Sequence, residues 1–149
     1  MLEERIEQDV KAALLAGDRQ KLLVLRGLKA SLLNLKVATG KRDSGLSDEE
    51  VLTTLAKQSK QRQESADLYK QGGDKARHDN EMAEKAIIDA YLPKQLSEDE
   101  INKLIDKAIE ETGASGPQAM GQIIGQVKKN AGATADGALI ARLVKDKLA

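Results

Sequence analysis

The sequence predicts an all-α protein, and three observations support this fold class. Hydrophobic residues make up 40% of the 149 residues, yet there are only two tyrosines and no phenylalanine or tryptophan. The core must therefore be built from aliphatic, mostly helix-forming residues. Apolar residues recur every three to four positions along almost the whole chain. Residues 46–51 and 96–101 carry the same helix-start signal, a serine followed three positions later by a glutamate.

Two apolar helices are predicted at the beginning of the chain. The first ends at Gly17, which suits the left-handed residue that often follows a helix. Asp18 can cap a second helix that runs to about Ala38. Because this is the most apolar segment, we expect it at the centre of a bundle. The helix carries Leu22, Leu25, Leu28, Leu32, Leu33 and Leu35.

Two more polar helices follow. Ser47 is the expected N-cap of the third helix, Glu50 completes a capping box, and the helix should continue to Gln71 before a double glycine. Its apolar face is thin, so we expect a peripheral or projecting helix. A fourth helix starts at Asp74 and is ended by Pro93. Its predicted inward residues are Ala83, Ala86, Ile87, Ala90 and Tyr91.

The composition changes after Pro93, where glycine becomes more frequent. We therefore predict an N-terminal domain over residues 1–93 and a separate C-terminal domain over residues 94–149. Gly121 and Gly125 are expected to let a neighbouring helix approach closely. Three helices are expected in the second domain, namely Glu98–Thr112, Pro117–Lys129 and a last helix with Ile140, Leu143, Val144 and Leu148 inward.

The chain offers few groups for catalysis or metal binding. It has no cysteine, which excludes a disulfide framework, a thiol nucleophile and a cysteine-ligated zinc or iron–sulfur site. The single histidine, His78, has Asp74 and Glu81 at helical spacing, but the stretch is so polar that we interpret it as a solvated surface. Glu81 and Glu84 are interpreted in the same way. We expect no catalytic residue, no metal site and no cofactor.

The sequence also shows no membrane or export signal. Its longest run of large apolar residues, Leu22 to Leu25, is far shorter than the ~20 residues that cross a bilayer. The chain opens with an acidic segment, Met1-Leu2-Glu3-Glu4, and signal peptides open with a basic one. We expect a soluble protein of the cytoplasm with no membrane contact.

Charge is unevenly distributed, although 24 basic residues balance 24 acidic ones. Between residues 11 and 42, eight basic side chains accompany one acid, Asp18. Such a segment can neutralise phosphates. Alternatively, these cations form the polar side of a Leu-rich helix and are balanced by acids on neighbouring helices. Because aromatic residues are so rare, any RNA contact must recognise the shape and backbone of a folded RNA instead of stacking on bases.

Three stretches form an ordered pattern over nearly the whole chain. The first is Leu23-Val24-Leu25-Arg26-Gly27-Leu28-Lys29-Ala30 with Asn34. The second runs through Gln61-Arg62, Glu64, Tyr69, Gly72 and Glu84 to Tyr91-Leu92-Pro93-Lys94-Gln95-Leu96-Ser97. The third is Gly113-Ala114-Ser115-Gly116, then Met120-Gly121, Gly125 and Ala135-Asp136-Gly137. Together they resemble the YqeY family, small bacterial proteins grouped with the tail of the B subunit of the aspartyl/glutamyl-tRNA amidotransferase.

This resemblance implies an elongated N-terminal helical bundle followed by a C-terminal three-helix domain similar to the amidotransferase tail. In the amidotransferase, the tail helps to hold tRNA and carries no catalytic residue. The ATP- and ammonia-handling core has no counterpart in this chain. Carbon–nitrogen ligase activity with glutamine as amido donor belongs to the amidotransferase as a whole. We do not expect this activity in the present chain.

We hypothesise a non-catalytic accessory protein that associates with tRNA or with a tRNA-handling enzyme. The alternatives are a helical protein–protein adaptor and, less favoured, the glutamine-dependent ligase. One departure from the expected pattern is that no basic residue lies between Asn130 and Ala141, beside the turn at Asp136. The candidate RNA-binding residues are Arg26, Lys29, Lys36, Lys128, Lys129 and Arg142.

Overall fold

The computed structural model describes residues 1–149 and contains helices, turns and loops but no strand. The predicted all-α fold class is therefore confirmed. The chain forms two compact units, Met1–Leu92 and Pro93–Ala149, and each unit has its own hydrophobic core. None of the helices combines the length and apolar character that a bilayer-crossing segment needs.

Four helices build the first unit: α1 (Leu2–Ala16), α2 (Arg19–Thr39), α3 (Asp48–Gln71) and α4 (Lys75–Asp89). Gly17 closes α1 with a φ of 69°, a left-handed conformation that glycine adopts without strain. α2 packs against all three of the other helices, as expected, and α3 does so as well.

Two reciprocal caps fix the starts of α3 and the first helix of the second unit. Ser47 Oγ accepts a hydrogen bond from the Glu50 amide, and Glu50 Oε2 accepts one from the Ser47 amide. Ser97 and Glu100 form the same pair of bonds. Both capping boxes predicted from the sequence are confirmed, and Asp18 caps α2 by accepting from the Lys21 amide.

The core of the first unit is aliphatic apart from one ring. Its buried members are Ile6, Ala13, Val24, Leu25, Leu28, Leu32, Val51, Leu55, Ile88 and Tyr91. Because Val51 and Leu55 are fully buried, the expectation that α3 is peripheral is wrong for its first half. Leu33 is 47% exposed while its neighbour Leu32 is buried, because consecutive residues of a helix point about 100° apart.

The inward face of α4 also differs from the expected one. Ala83, Ala86 and Ala90 are exposed, whereas Ile88 is fully buried. The helix ends at Asp89, four residues before Pro93. Its final turn is tightened by bonds that span only three residues, from the amide of Tyr91 to the carbonyl of Ile88 and from the amide of Leu92 to that of Asp89.

Two glutamates occupy the inward face of α4 where alanines were expected. The side chains of Glu81 and Glu84 are only 15% and 12% exposed. Arg62 of α3 lies between them, with its Nη1 3.4 Å from Glu81 Oε2 and 2.6 Å from Glu84 Oε2. The expected solvated surface for these glutamates is therefore wrong, because an arginine on the facing helix offsets the cost of burying them. Ser59 donates a hydrogen bond to Asp89 across the same interface.

Three helices build the second unit: α5 (Glu98–Thr112), α6 (Met120–Ala131) and α7 (Gly137–Leu148). Single 3₁₀ turns at Pro117–Ala119 and Gly132–Thr134 precede α6 and α7. All three helices contact one another. The buried core residues are Ile101, Ile105, Ala108, Ile123, Val127, Ala131, Ile140, Leu143 and Val144.

The glycines of α6 do not act as expected. Gly121 and Gly125 are exposed, and a Cβ atom added to either would meet no atom within 4 Å. The expected close approach of a helix is therefore wrong. α6 buries Ile123 and Val127, so its glycines lie on the solvent side.

Gly125→Ala should raise the free energy of unfolding by roughly 0.5–1 kcal/mol, because glycine loses more backbone entropy in a helix than alanine does. Gly121→Ala should act in the same direction. The matched control is Gly113→Ala. Gly113 has equally open space around it but a φ of 64°, so this substitution should lower the free energy of unfolding by about 1 kcal/mol. Urea denaturation followed by circular dichroism measures all three, and a destabilised Gly125→Ala variant would contradict the open surface described for α6.

Arg62→Met should destabilise the first unit by roughly 2–4 kcal/mol, since it leaves Glu81 and Glu84 largely buried without their cation. The triple variant Arg62→Met/Glu81→Gln/Glu84→Gln should recover most of that loss because it removes the uncompensated charge. Arg77→Met is the control, because Arg77 is an exposed arginine of α4. Thermal and urea unfolding compare the four proteins, and equal stability of Arg62→Met and the wild type would disprove the role of the ion pairs.

Candidate nucleic-acid interface

One cationic side chain lies over the start of α7. Lys128, in the last turn of α6, extends across Gly137, the first residue of α7. A Cβ at Gly137 would lie 2.9 Å from Lys128 Cε and 3.2 Å from its Nζ, so the end of the lysine side chain lies directly over this glycine. Lys129 is the neighbouring residue and is also exposed. The Ala-Asp-Gly turn, which has no cation of its own, thus receives one from the preceding helix.

The first turn of α7 has the polarity of an anion-binding helix start. Asp136 is its N-cap residue, but the Asp136 side chain does not cap the first amides, and the first turn contains no acidic residue. The amides at a helix start point outward and carry partial positive charge. Lys128 adds a positive charge beside these amides.

The other predicted cation of this unit is already paired. Arg142 on α7 lies with its Nη2 2.6 Å from Glu98 Oε1 at the start of α5. Both side chains are more than half exposed, so this is a surface ion pair that a competing phosphate can open at small cost.

Two of the three candidate cations on α2 are paired with acids of α1. Lys29 Nζ lies 2.9 Å from Glu7 Oε1, and Lys36 Nζ lies 2.6 Å from Glu3 Oε1. The hydrogen bond from Lys29, followed by its charge, holds the pKa of the Glu7 carboxyl below its usual value. These partners could have been predicted from the sequence. If α1 and α2 form an antiparallel hairpin that turns at Gly17, residues at similar distances before and after the turn lie side by side.

Arg26 differs from its neighbours on α2. It is exposed and forms no ion pair. Leu23 and Leu33, which lie on the same side of the helix, are 70% and 47% exposed. Its surroundings are therefore more apolar than those of Lys128 and Lys129.

In the segment Tyr91-Leu92-Pro93-Lys94-Gln95-Leu96, the first two side chains pack in the core of the first unit. Tyr91 is buried in the core of the first unit, donates a hydrogen bond to Asp9, and has Arg5 4.8 Å above its ring. Burial and the nearby Asp9 carboxylate raise the pKa of the Tyr91 hydroxyl above its usual value. Leu92 packs against the same core, and Pro93 begins the second unit.

The second half of the segment anchors the turn before α7. Gln95 Nε2 donates to the carbonyls of Pro93 and Ala133, at 3.2 and 3.0 Å. The Leu96 amide donates to the carbonyl of Thr134 at 2.8 Å. These bonds hold the 3₁₀ turn that leads into α7 and thereby support the position of Gly137 next to Lys128.

The remaining polar residues form no cluster that would hold a metal ion. His78 Nδ1 lies 3.0 Å from Asp79 Oδ1, while Asp74 caps α4 and Glu81 belongs to the ion pairs of Arg62. No three histidine, aspartate or glutamate side chains converge in a way that would hold a metal ion. Gly116 has a φ of 80° and precedes Pro117 at the start of the 3₁₀ turn, as the Gly-Pro pair predicts.

Comparison with known proteins gives one clear relationship. No curated protein sequence matches the chain significantly. The model of one protein family, described as Yqey-like protein, matches residues 3–148, which is essentially the whole chain. The resemblance drawn from the sequence motifs is therefore confirmed, and the chain belongs to the YqeY family.

Proposed function

We propose that this chain is a non-catalytic accessory protein that associates with folded RNA, tRNA first of all, through the end of α6 and the start of α7. The observation that carries the proposal is the position of Lys128 across Gly137 at the start of α7. A helix start with a lysine beside it offers both amide donors and a positive charge to a phosphate. The resemblance to the tRNA-holding tail of the amidotransferase B subunit supports the same choice of ligand.

The distribution of ion pairs supports the choice of this end of the molecule over α2. Lys29, Lys36 and Lys41 are each bound to a glutamate of the same unit. Lys128 and Lys129 form no ion pair, so they can neutralise phosphates without first breaking a contact within the chain.

The non-catalytic part of the proposal is supported by the resemblance, because the corresponding tail carries no catalytic residue. Three groups considered for acid–base or metal chemistry in the sequence have partners within the chain. Glu81 and Glu84 are bound to Arg62, and His78 lies beside Asp79 on the surface of α4. Ligase activity is not part of the proposal.

A second candidate function, a helical protein–protein adaptor, is favoured by one observation. α2 exposes three large apolar side chains to solvent, Leu23, Leu33 and Val37, at 70%, 47% and 59% exposure. Exposed apolar patches of this kind mark contact surfaces in soluble proteins.

The RNA proposal is tested by fluorescence anisotropy of labelled tRNA at two or more salt concentrations, with an unrelated RNA duplex as competitor. We expect salt-sensitive binding that prefers tRNA, with log K falling by ~0.9 per log unit of salt for every phosphate neutralised. Lys128→Glu and Lys129→Glu should each weaken binding and lower this salt slope by about one.

The matched control is Lys103→Glu, which reverses an exposed lysine on the acidic helix α5 of the same unit. It should bind tRNA like the wild type. Circular dichroism checks that all variants keep their helices. Wild-type affinity in Lys128→Glu/Lys129→Glu, or equal affinity for tRNA and the duplex, would overturn the proposal.

A further inference from the structure

The outer face of α2 carries a regular row of side chains that no other helix covers. We call this row the α2 stripe. All of its members are exposed, including its three large apolar residues. The α2 stripe consists of Arg19, Leu23, Arg26, Ala30, Leu33 and Val37.

The spacing of the α2 stripe alternates between four and three residues. This is the spacing of the a and d positions of a coiled-coil heptad, which keeps a row of side chains facing one partner helix. From Arg19 to Val37 the row is about 27 Å long at 1.5 Å per residue. The opposite side of α2 packs in the core through Val24, Leu25 and Leu28. α2 therefore has two apolar faces, of which the chain itself uses one.

The charge of the α2 stripe identifies the kind of partner. Arg19 and Arg26 form no ion pair, and the stripe contains no acidic residue. On one flank, Lys29 and Lys36 are already bound to glutamates of α1. The other flank is uncharged and consists of Gln20, Gly27 and Asn34. Two uncompensated arginines among apolar side chains fit a partner that brings carboxylates and apolar side chains together.

Two features beside the stripe suit the docking of a helix. Ala30 and Leu33 also line a groove of about 530 Å³ between α1 and α2, together with Ile6, Leu32 and six charged side chains. Two of its three glutamates, Glu3 and Glu7, are bound to Lys36 and Lys29. The apolar part of this lining can accept an apolar side chain of a docked helix. Gly27 is exposed, and a Cβ there would meet no atom within 4 Å. No contact within the chain requires a glycine at this helical position, where alanine would be more stable.

We propose that the α2 stripe is a docking surface for an acidic amphipathic helix of a partner protein. Its apolar residues contact Leu23, Leu33 and Val37, and its carboxylates pair with Arg19 and Arg26. A second copy of this chain fits less well. Antiparallel pairing of two α2 stripes centred between Arg26 and Ala30 would place the two Arg26 residues only about 6 Å apart along the axis, with no carboxylate in either stripe. This proposal does not depend on RNA binding by the second unit.

The probe is a fluorescently labelled synthetic helical peptide of three heptads, with leucine at the a and d positions and glutamate at the flanking e and g positions. Repulsion between its glutamates keeps this peptide from associating with itself. The comparison peptide has lysine in place of every glutamate. Binding of each peptide to the full chain is measured by anisotropy at low and high salt.

We expect the acidic peptide to bind and the lysine peptide not to bind. Leu33→Ser and Arg26→Glu should each weaken binding of the acidic peptide by about tenfold or more. In Arg19→Glu/Arg26→Glu the preference should reverse in favour of the lysine peptide. Salt should weaken binding less than it weakens binding to RNA, because the contact is partly apolar.

Two control variants match these changes elsewhere on the surface. Leu68→Ser replaces a leucine of α3 that is 67% exposed and lies outside the stripe. Arg42→Glu reverses an exposed arginine outside the stripe that forms no ion pair. Both should bind the acidic peptide like the wild type. Circular dichroism confirms that each variant is folded, as expected for substitutions at exposed positions.

Three results would overturn the proposal. The first is that the acidic peptide fails to bind, or that Leu68→Ser weakens its binding as much as Leu33→Ser. The second is that light scattering finds a wild-type dimer that Leu33→Ser converts to a monomer, which would assign the stripe to a second copy. The third is that tRNA displaces the peptide and that Arg26→Glu abolishes tRNA binding while Leu33→Ser leaves it intact, which would make the stripe an RNA surface.

Discussion

The ion pairs of Arg62 with Glu81 and Glu84 determine how α3 and α4 associate. α4 directs two glutamates inward toward α3, while its alanines at positions 83, 86 and 90 are exposed. One guanidinium nitrogen of Arg62, Nη1, lies within ion-pair distance of both carboxylates. A buried ion pair adds little net stability, but removing one partner costs a great deal, so the pairing fixes which faces of the helices meet.

Neutralisation within the chain also determines which cations remain for a partner. The basic segment from residue 11 to residue 42 loses much of its excess charge once Glu3, Glu7 and Glu50 bind Lys36, Lys29 and Lys41. Arginines 19 and 26 are left unpaired on the outer face of α2, among exposed apolar side chains. In the second unit, Lys128 remains beside the start of α7. The two proposed contact surfaces thus differ in character, since one is mostly apolar and the other mostly polar.

The segment from Tyr91 to Leu96 makes contacts in both units. Tyr91 and Leu92 pack in the first unit, while Gln95 and Leu96 bond to the turn before α7 in the second. These side chains are used for structure, so the segment is better explained by folding than by ligand contact. The buried ring of Tyr91 would be costly without a partner for its hydroxyl, and Asp9 supplies that partner.

The sequence by itself determined the helical fold class, the two capping boxes, the limits of α5 and the buried face of α7. These features depend on local spacing and on hydrogen bonds between residues three apart, which can be recognised without knowing the neighbours. Tertiary structure decided the inward face of α4, the exposure of Leu33 and the pairing of Lys29. Whether a glutamate is buried or a lysine is free depends on the side chain that a different helix places beside it, and periodicity within one helix carries no information about that neighbour.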